Sequence, residues 1–311
     1  MRSAPHAFTL RQIQYAVAVA EERSFHRAAE RCGVSQPGLS AQIADLERAL
    51  GVMLFERSQR RVLVTAAGEE LALRARRVLL EADEIERAAR RIGDPLSGTL
   101  HLGVIPTISP YLLPSVTPAL RSALPRLRVA WLEDKTSVLV DKLRQGEIDG
   151  ALLALEADVG DVASEVIATD AFAVVTPPDH PLARKKGAVS EAELRGQELM
   201  LLAEGHCFRD QALEACRASR VREGELRATS LSTLVQMVAG GDGITLVPEL
   251  ALEAETRRAD LAVRPLAAPA AHRTIALVWR KGAALEVALR ATAAAIRRAY
   301  PRGARRGRAK A

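Results

Sequence analysis

The chain has 311 residues, 48% of them hydrophobic and 26% charged, a composition that fits a globular protein of two or three domains. Three cysteines are too few for a disulfide scaffold, and no apolar run approaches the roughly 18 residues of a membrane span. These counts exclude the disulfide-rich secreted and helical integral-membrane classes and make a reducing cytoplasm the expected location. The net charge of +6 is concentrated at one end: Arg297, Arg298, Arg302, Arg305, Arg306, Arg308 and Lys310 stand there with no acid among them. The rest of the chain is close to neutral, so charge alone does not establish nucleic-acid binding. Residues 302–311 read as a basic disordered tail, and the opening MRSAPHAFTLRQ lacks the apolar stretch of a signal peptide.

Residues Thr9 to Leu50 read as three helices. Thr9 starts the first, and Ile13, Ala16, Val17 and Ala20 form its apolar face. Ser24 caps the second, which runs through Phe25, Ala28, Ala29 and Cys32 to Gly33, a residue suited to a left-handed helix end. Ser35 caps the third, with Pro37 in its first turn. Leu39, Ile43, Leu46 and Leu50 then face inward, leaving Gln36, Ser40, Ala41 and Gln42 outward. A helix, a glycine turn and a helix with Ser and Gln on its first turns form a helix-turn-helix layout, whose hydroxyl and amide groups can read base edges in the major groove. Two short strands flanking the basic turn around Arg57, Arg60 and Arg61 have the pattern of a wing.

The run SQPGLSAQIADLERALGVMLFER, within a match over residues 8–68, resembles the DNA-binding domain of LysR-type transcriptional regulators. That resemblance implies a winged helix-turn-helix over residues 1–68. Its recognition helix would use Ser35, Gln36, Pro37, Ser40 and Gln42, and its wing Arg57, Arg60 and Arg61. Many relatives carry a polar residue where this chain has Ala41, which removes one contact.

Residues 69–93 continue as a long helix in which Leu71, Val78, Ile85 and Ile92 recur every seven residues, a dimerisation seam. Two-fold pairing sets two recognition helices about one DNA turn, or a multiple of it, apart. Gly93 to Gly98 reads as a hinge. From Thr99 onward strands and helices alternate, predicting an α/β fold with a largely parallel sheet. Two crossings of the chain predict two α/β subdomains, about 99–169 with 273–301 and about 170–272, with a cleft between them. That arrangement resembles the periplasmic binding proteins, whose ligands sit at strand ends and domain interfaces. Gly240-Gly241-Asp242-Gly243 reads as a turn before a strand rather than a phosphate loop, since no Gly-Lys-Ser/Thr follows. Neither metal-ligand spacing nor a GxSxG elbow occurs.

The chemistry centres on Gly205 to Cys216. Asp210 to Cys216 reads as helix, placing Cys207 at its N-terminus beside His206 and Arg209. Free backbone N–H groups, the helix dipole and a nearby cation favour thiolate there. If the segment stays helical, its nine residues hold the two Cα atoms roughly 13 Å apart, against the 7 Å or so that a disulfide allows. Two readings stand at this point: unrelated core cysteines, or a thiol pair that joins only when the helix unwinds. Thr107 and Thr136 each follow a strand and read either as helix caps or as hydroxyls facing the cleft. Cys32 reads as buried and inert.

The stretch EGHCFRDQALEAC, together with GVIPT and HRTIALVWR, resembles the OxyR-type hydrogen-peroxide sensors within the LysR family, over about residues 8–300. The resemblance implies that Cys207 is oxidised by peroxide to a sulfenic acid and that Cys216 resolves it as an intramolecular disulfide. Thr107, Thr136, His206 and Arg273 match positions lining the peroxide pocket, and Asp210 a helix-start residue nearby. Leu132 replaces a side chain that is polar in some relatives. Implied with them are a cytoplasmic, non-enzymatic activator of oxidative-stress genes without metal or cofactor, and a homotetramer built as a dimer of dimers. Its partners would be double-stranded DNA with two-fold symmetric sites, RNA polymerase, and a glutaredoxin or thioredoxin reductant. Two competing readings are a LysR-type regulator holding an organic effector in the cleft and a thiol peroxidase.

Overall fold

The computed structural model describes residues 6–57, 62–91, 94–257 and 259–301, with the backbone alone for 57, 84, 86–91 and 218. The chain divides into two units, residues 1–90 and 91–311. No helix among the described residues is long and apolar enough to cross a membrane.

The first unit opens with α1 (Leu10–Glu22), α2 (Phe25–Cys32) and α3 (Gln36–Leu50). Each start and stop follows from its capping residues. Thr9 forms a capping box with Gln12, Ser24 accepts from Arg27 N, and Ser35 accepts from Gly38 N. Gly33 and Gly51 close α2 and α3 with φ of 66° and 71°, a backbone that a side chain disfavours. Leu39, Ile43 and Leu46 are fully buried in a core completed by Phe25, Val19 and Phe55. Strands β1 (Phe55–Arg57) and β2 (Val62–Val64) pair antiparallel. Glu47 on α3 anchors them by accepting from Leu54 N at 2.7 Å and Phe55 N at 3.1 Å. Arg60 and Arg61, predicted for the wing tip, lie outside the described residues.

Helix α4 (Ala66–Arg91) begins three residues earlier than the sequence reading placed it, because the Thr65 hydroxyl accepts from Gly68 N at 2.9 Å and starts the helix there. Along the predicted seam Leu71 packs against the core, while Val78 and Ile85 are 46% and 72% exposed. Ile92 lies outside the described residues.

The second unit contains β3 (Gly98–Val104), α5 (Ser109–Ala123), β4 (Leu127–Glu133), α6 (Thr136–Gln145), β5 (Gly150–Ala154) and β6 (Val162–Thr176). It continues with β7 (Glu198–Leu202), α7 (Cys207–Ala215), β8 (Arg222–Ala228), α8 (Leu231–Ala239), β9 (Thr245–Pro248) and α9 (Glu249–Thr256). Then come β10 (Ala262–Pro265), β11 (His272–Arg280) and α10 (Glu286–Ala299). Seven strands form one mixed sheet in the order β10-β6-β11-β5-β3-β4, with β9 also paired to β6. Here the expectation of a largely parallel sheet is corrected. Only β3 with β4, β3 with β5 and the separate pair β7–β8 run parallel, whereas β11 is antiparallel to both β5 and β6. The returning strand inserts between two strands already laid down, and it runs against both.

Strand β6 is one continuous element of 15 residues. Its early residues Ile167 and Ala168 belong to one apolar core, and Phe172, Val174 and Val175 to another. The pairing of Arg273 on β11 with Asp170 on β6 falls at that transition. Gly103 lets α6 approach β3, since a Cβ there would stand 2.7 Å from Leu139 and 2.9 Å from Ile148. That close approach brings Thr136, at the start of α6, beside the end of β3.

Candidate functional site

Helix α7 starts at Cys207 with His206 as N-cap, after Gly205 turns the chain at φ 86°. The helix is held by its apolar face: Phe208 and Ala212 are buried, and Phe208 stands edge-on to Phe172 at 5.1 Å between centroids. The predicted helical separation of the two cysteines is therefore present, and both thiols are free. Cys207 is half-buried, while Cys216, just past the helix end, is 1% exposed.

Around Cys207 the structure gathers residues from four distant stretches. A cavity of about 10 Å³ is lined by Ile105, Pro106, Thr107, Lys135, Thr136, His206, Cys207 and Phe208. Such a volume is that of a single water-sized molecule. Thr107 and Thr136 are both buried, and neither caps a helix: the N-caps of α5 and α6 are Ile108 and Lys135. Behind Thr107 lies Arg273, fully buried. Its Nη1 donates to Thr107 Oγ1 at 2.7 Å and its Nη2 to the Thr107 carbonyl at 3.0 Å. On its other side Nε and Nη2 both reach Asp170 Oδ2 at 2.9 Å. A lone pair of Thr107 Oγ1 is thus occupied by a cationic donor, so the hydroxyl's own proton is left to donate elsewhere. Thr136 Oγ1 is buried without a hydrogen-bond partner of normal geometry.

The expectation of a readily formed thiolate is corrected by the packing. Burial pushes the Cys207 thiol above its ordinary range, and the Asp210 charge adds to that rise. The Thr136 hydroxyl, then the Arg273 charge and the Phe208 backbone N–H, oppose it without reversing it. The cation acting on the sulfur is Arg273; Arg209 turns away to pair with Glu223 at 2.8 Å. His206 is pushed down, first by burial and then by Lys135, which leaves a neutral ring beside the thiol near pH 7. Burial, with a smaller effect of Glu191, pushes Cys216 up to about 11. In the reduced protein both sulfurs are held as thiols.

Asp210 is exposed and lines a wider cleft of about 880 Å³, to which Thr136, Cys207 and Phe172 also contribute. Leu132 is 37% exposed. Cys32 is only half-buried, less than its place on a helix's apolar face suggested. Asp170 and Lys135 were not picked out from the sequence. Lys135 had the signal of preceding Thr136, whereas Asp170 stands in no motif.

In the first unit Ser35, Gln36 and Pro37 are exposed at the start of α3, and Ser40 and Gln42 are half-buried one turn further on. Five of the predicted DNA-reading residues therefore stand on the first two turns of one helix. The side chain of Arg57 lies outside the described residues.

This combination of a helix-turn-helix unit and a two-cored α/β unit is matched along most of the chain. Residues 10–69 match the bacterial regulatory helix-turn-helix protein of the lysR family, and residues 93–301 the LysR substrate binding domain. The chain belongs to the LysR family of bacterial transcriptional regulators, and within it to the OxyR group. It is 42% identical over 289 residues to the DNA-binding transcriptional dual regulator OxyR of Escherichia coli K12, covering 93% of this chain and 94% of that one. A full-length, cysteine-substituted OxyR from Pseudomonas aeruginosa superposes with a TM-score of 0.76 at 38% identity, covering 94% of this chain and 96% of the other. A cysteine-substituted, peroxide-bound OxyR of Corynebacterium glutamicum gives 0.65 at 35% identity, covering 96% and 94%.

Proposed function

We propose that this regulator senses hydrogen peroxide through Cys207 and converts its oxidation into altered DNA binding. The observation that carries the reading is the one-molecule cavity that Cys207, Thr107 and Thr136 line together. Peroxide, with two oxygens, needs little more than this water-sized space, whereas an organic effector has to use the wider cleft. The sulfur attacks one peroxide oxygen: the S–O bond forms, the O–O bond breaks, and the departing oxygen leaves as water after collecting the thiol proton. Sulfur is oxidised by two electrons and peroxide is reduced. Thr107, its proton directed away from Arg273, donates to the oxygen on which negative charge develops. The sulfenic acid then condenses with the Cys216 thiol, releasing a second water and leaving the Cys207–Cys216 disulfide.

This second step requires α7 to unwind, because its nine residues hold the sulfurs apart and Phe208 pins the helix to the core. Unwinding converts a chemical event into a change of shape. One oxidation per chain suffices, which separates a regulator from a peroxidase that turns over. The remaining assignments rest on the family relationship and the sequence. Residues 1–68 read DNA through Ser35, Gln36, Pro37, Ser40, Gln42, Arg57, Arg60 and Arg61. The helix of residues 69–93 pairs two copies, and 99–301 carries the switch in a cytoplasmic homotetramer. Such a tetramer activates oxidative-stress genes with RNA polymerase and is reset by a glutaredoxin or thioredoxin. The exposed Val78 and Ile85 on α4 support the pairing.

The test is a DNA footprint of the reduced protein before and after a small molar excess of peroxide. The reading predicts a changed footprint that Cys207→Ser abolishes. A footprint unchanged by peroxide but altered by a small organic metabolite would replace it with the cleft-effector reading.

A further inference from the structure

The Asp170 carboxylate is fully buried on β6 and makes three contacts that tie separate elements together. Its Oδ2 takes Nε and Nη2 of Arg273 on the neighbouring strand, and its Oδ1 accepts from Leu250 N, in the first turn of α9, at 2.9 Å. Both oxygens are thereby used, and the guanidinium plane is fixed from behind. A guanidinium held along one edge presents its remaining N–H groups in a set direction. Here that direction ends on Thr107 Oγ1 and the Thr107 carbonyl.

We propose that Asp170 is a positioning residue for Cys207 oxidation, acting through Arg273 to orient the Thr107 hydroxyl. The chain of contacts runs from Asp170 to Arg273, from Arg273 to Thr107, and from Thr107 to the cavity bordering the sulfur. With Asp170 in place, the Thr107 oxygen is committed as an acceptor toward Arg273, and among the described residues nothing accepts its proton. That proton is free for the peroxide oxygen that leaves. Without the carboxylate, Arg273 loses the partner that holds its plane, and Thr107 is free to turn its proton away. Asp170 touches neither sulfur nor oxidant; it acts through Arg273, and alkylation separates an effect on the Thr107 hydroxyl from one on the charge that Arg273 presents to the sulfur. The inference rests on the peroxide reading of Cys207 given above.

The experiment is a double-mutant cycle on the full-length protein with Asp170→Asn, Thr107→Val and their combination, following Cys207 oxidation by peroxide and, separately, its alkylation by iodoacetamide. Each single variant is expected to slow peroxide oxidation at least about tenfold, a loss typical of a misplaced catalytic contact. The double variant is expected to be no slower than Thr107→Val, because the two residues act as one unit. Alkylation, which needs the thiolate but no donor to a leaving oxygen, should change less than about threefold. Asp170→Glu, which keeps the charge but moves it by one methylene, should also slow oxidation while its Cys207 is alkylated at close to the wild-type rate, so the test survives if Asp170→Asn folds poorly. Oxidation of Asp170→Asn at the wild-type rate, or losses that multiply in the double variant, would overturn the inference. Failure of the wild-type Cys207 to react with peroxide at all would instead overturn the function it rests on.

Discussion

Arg273 Nη1 donates to Thr107 Oγ1 at 2.7 Å inside a fully buried site, and this contact decides what the threonine can do. A hydroxyl that accepts from a guanidinium keeps its proton for another partner. Thr107→Val removes that proton while keeping the shape. Oxidation by peroxide should slow by roughly a hundredfold, the usual loss for one donor to a developing oxyanion. The abandoned Arg273 donor should lower stability by about 1.5–3 kcal/mol. Rapid-quench mass spectrometry and denaturant unfolding read the two effects separately.

The raised Cys207 pKa makes a pH prediction whose sign is opposite to that of a cysteine activated as a standing thiolate. Only the thiolate attacks, and burial places its formation above the ordinary thiol value. The rate of oxidation should therefore climb about tenfold per pH unit from 7 and not level off by about pH 8.5, the usual thiol value. Stopped-flow measurement with peroxide in excess tests this; a plateau below pH 7 would show that a cation has won over burial.

Cys216 makes a matching prediction for stability. Its pKa in the folded protein, about 11, exceeds that of an unfolded thiol, about 8.5. The folded state holds the proton more tightly, so the contribution is complete below the unfolded value and is lost as pH rises toward 11. Between pH 8.5 and 11 wild type should lose about 3 kcal/mol relative to Cys216→Ala. Parallel urea titrations of the two proteins measure the difference.

Gln36 is exposed at the first position of α3. Gln36→Ala should leave the thermal midpoint unchanged and weaken operator binding by about 1–3 kcal/mol, with non-specific binding unaffected. Competition between operator and random DNA at one fixed salt concentration separates the two.

How much of this was legible follows from where each signal lies along the chain. The three N-terminal helices could be read because their boundaries are set locally, by Thr9, Ser24, Gly33, Ser35 and Pro37. Helix α7 was legible in part: it starts at Cys207 rather than Asp210, with no side-chain hydrogen bond at its cap to mark the boundary, but the helical separation it imposes on Cys207 and Cys216 was readable. The Asp170–Arg273 pair was not: 103 residues separate the partners, and only the register of β6 against β11 brings them together. The first half of β6 escaped because Ser164, Glu165, Thr169 and Asp170 interrupt its apolar run. The ionisation of Cys207 was misjudged because helix polarity and neighbouring cations can be seen in a sequence, whereas burial cannot. Arg209 was the nearer cation in sequence and Arg273 the nearer one in space.

The central claim is that Cys207 reacts with peroxide and that Cys216 then resolves it through the unwinding of α7. Its most direct test is peptide mass spectrometry of the reduced, full-length protein after about one equivalent of hydrogen peroxide. The account predicts a Cys207–Cys216 linkage within single chains, Cys32 still reduced, and in Cys216→Ser a Cys207 that carries one added oxygen or higher oxides. Recovery of both cysteines as free thiols, or oxidation confined to Cys32, would contradict it.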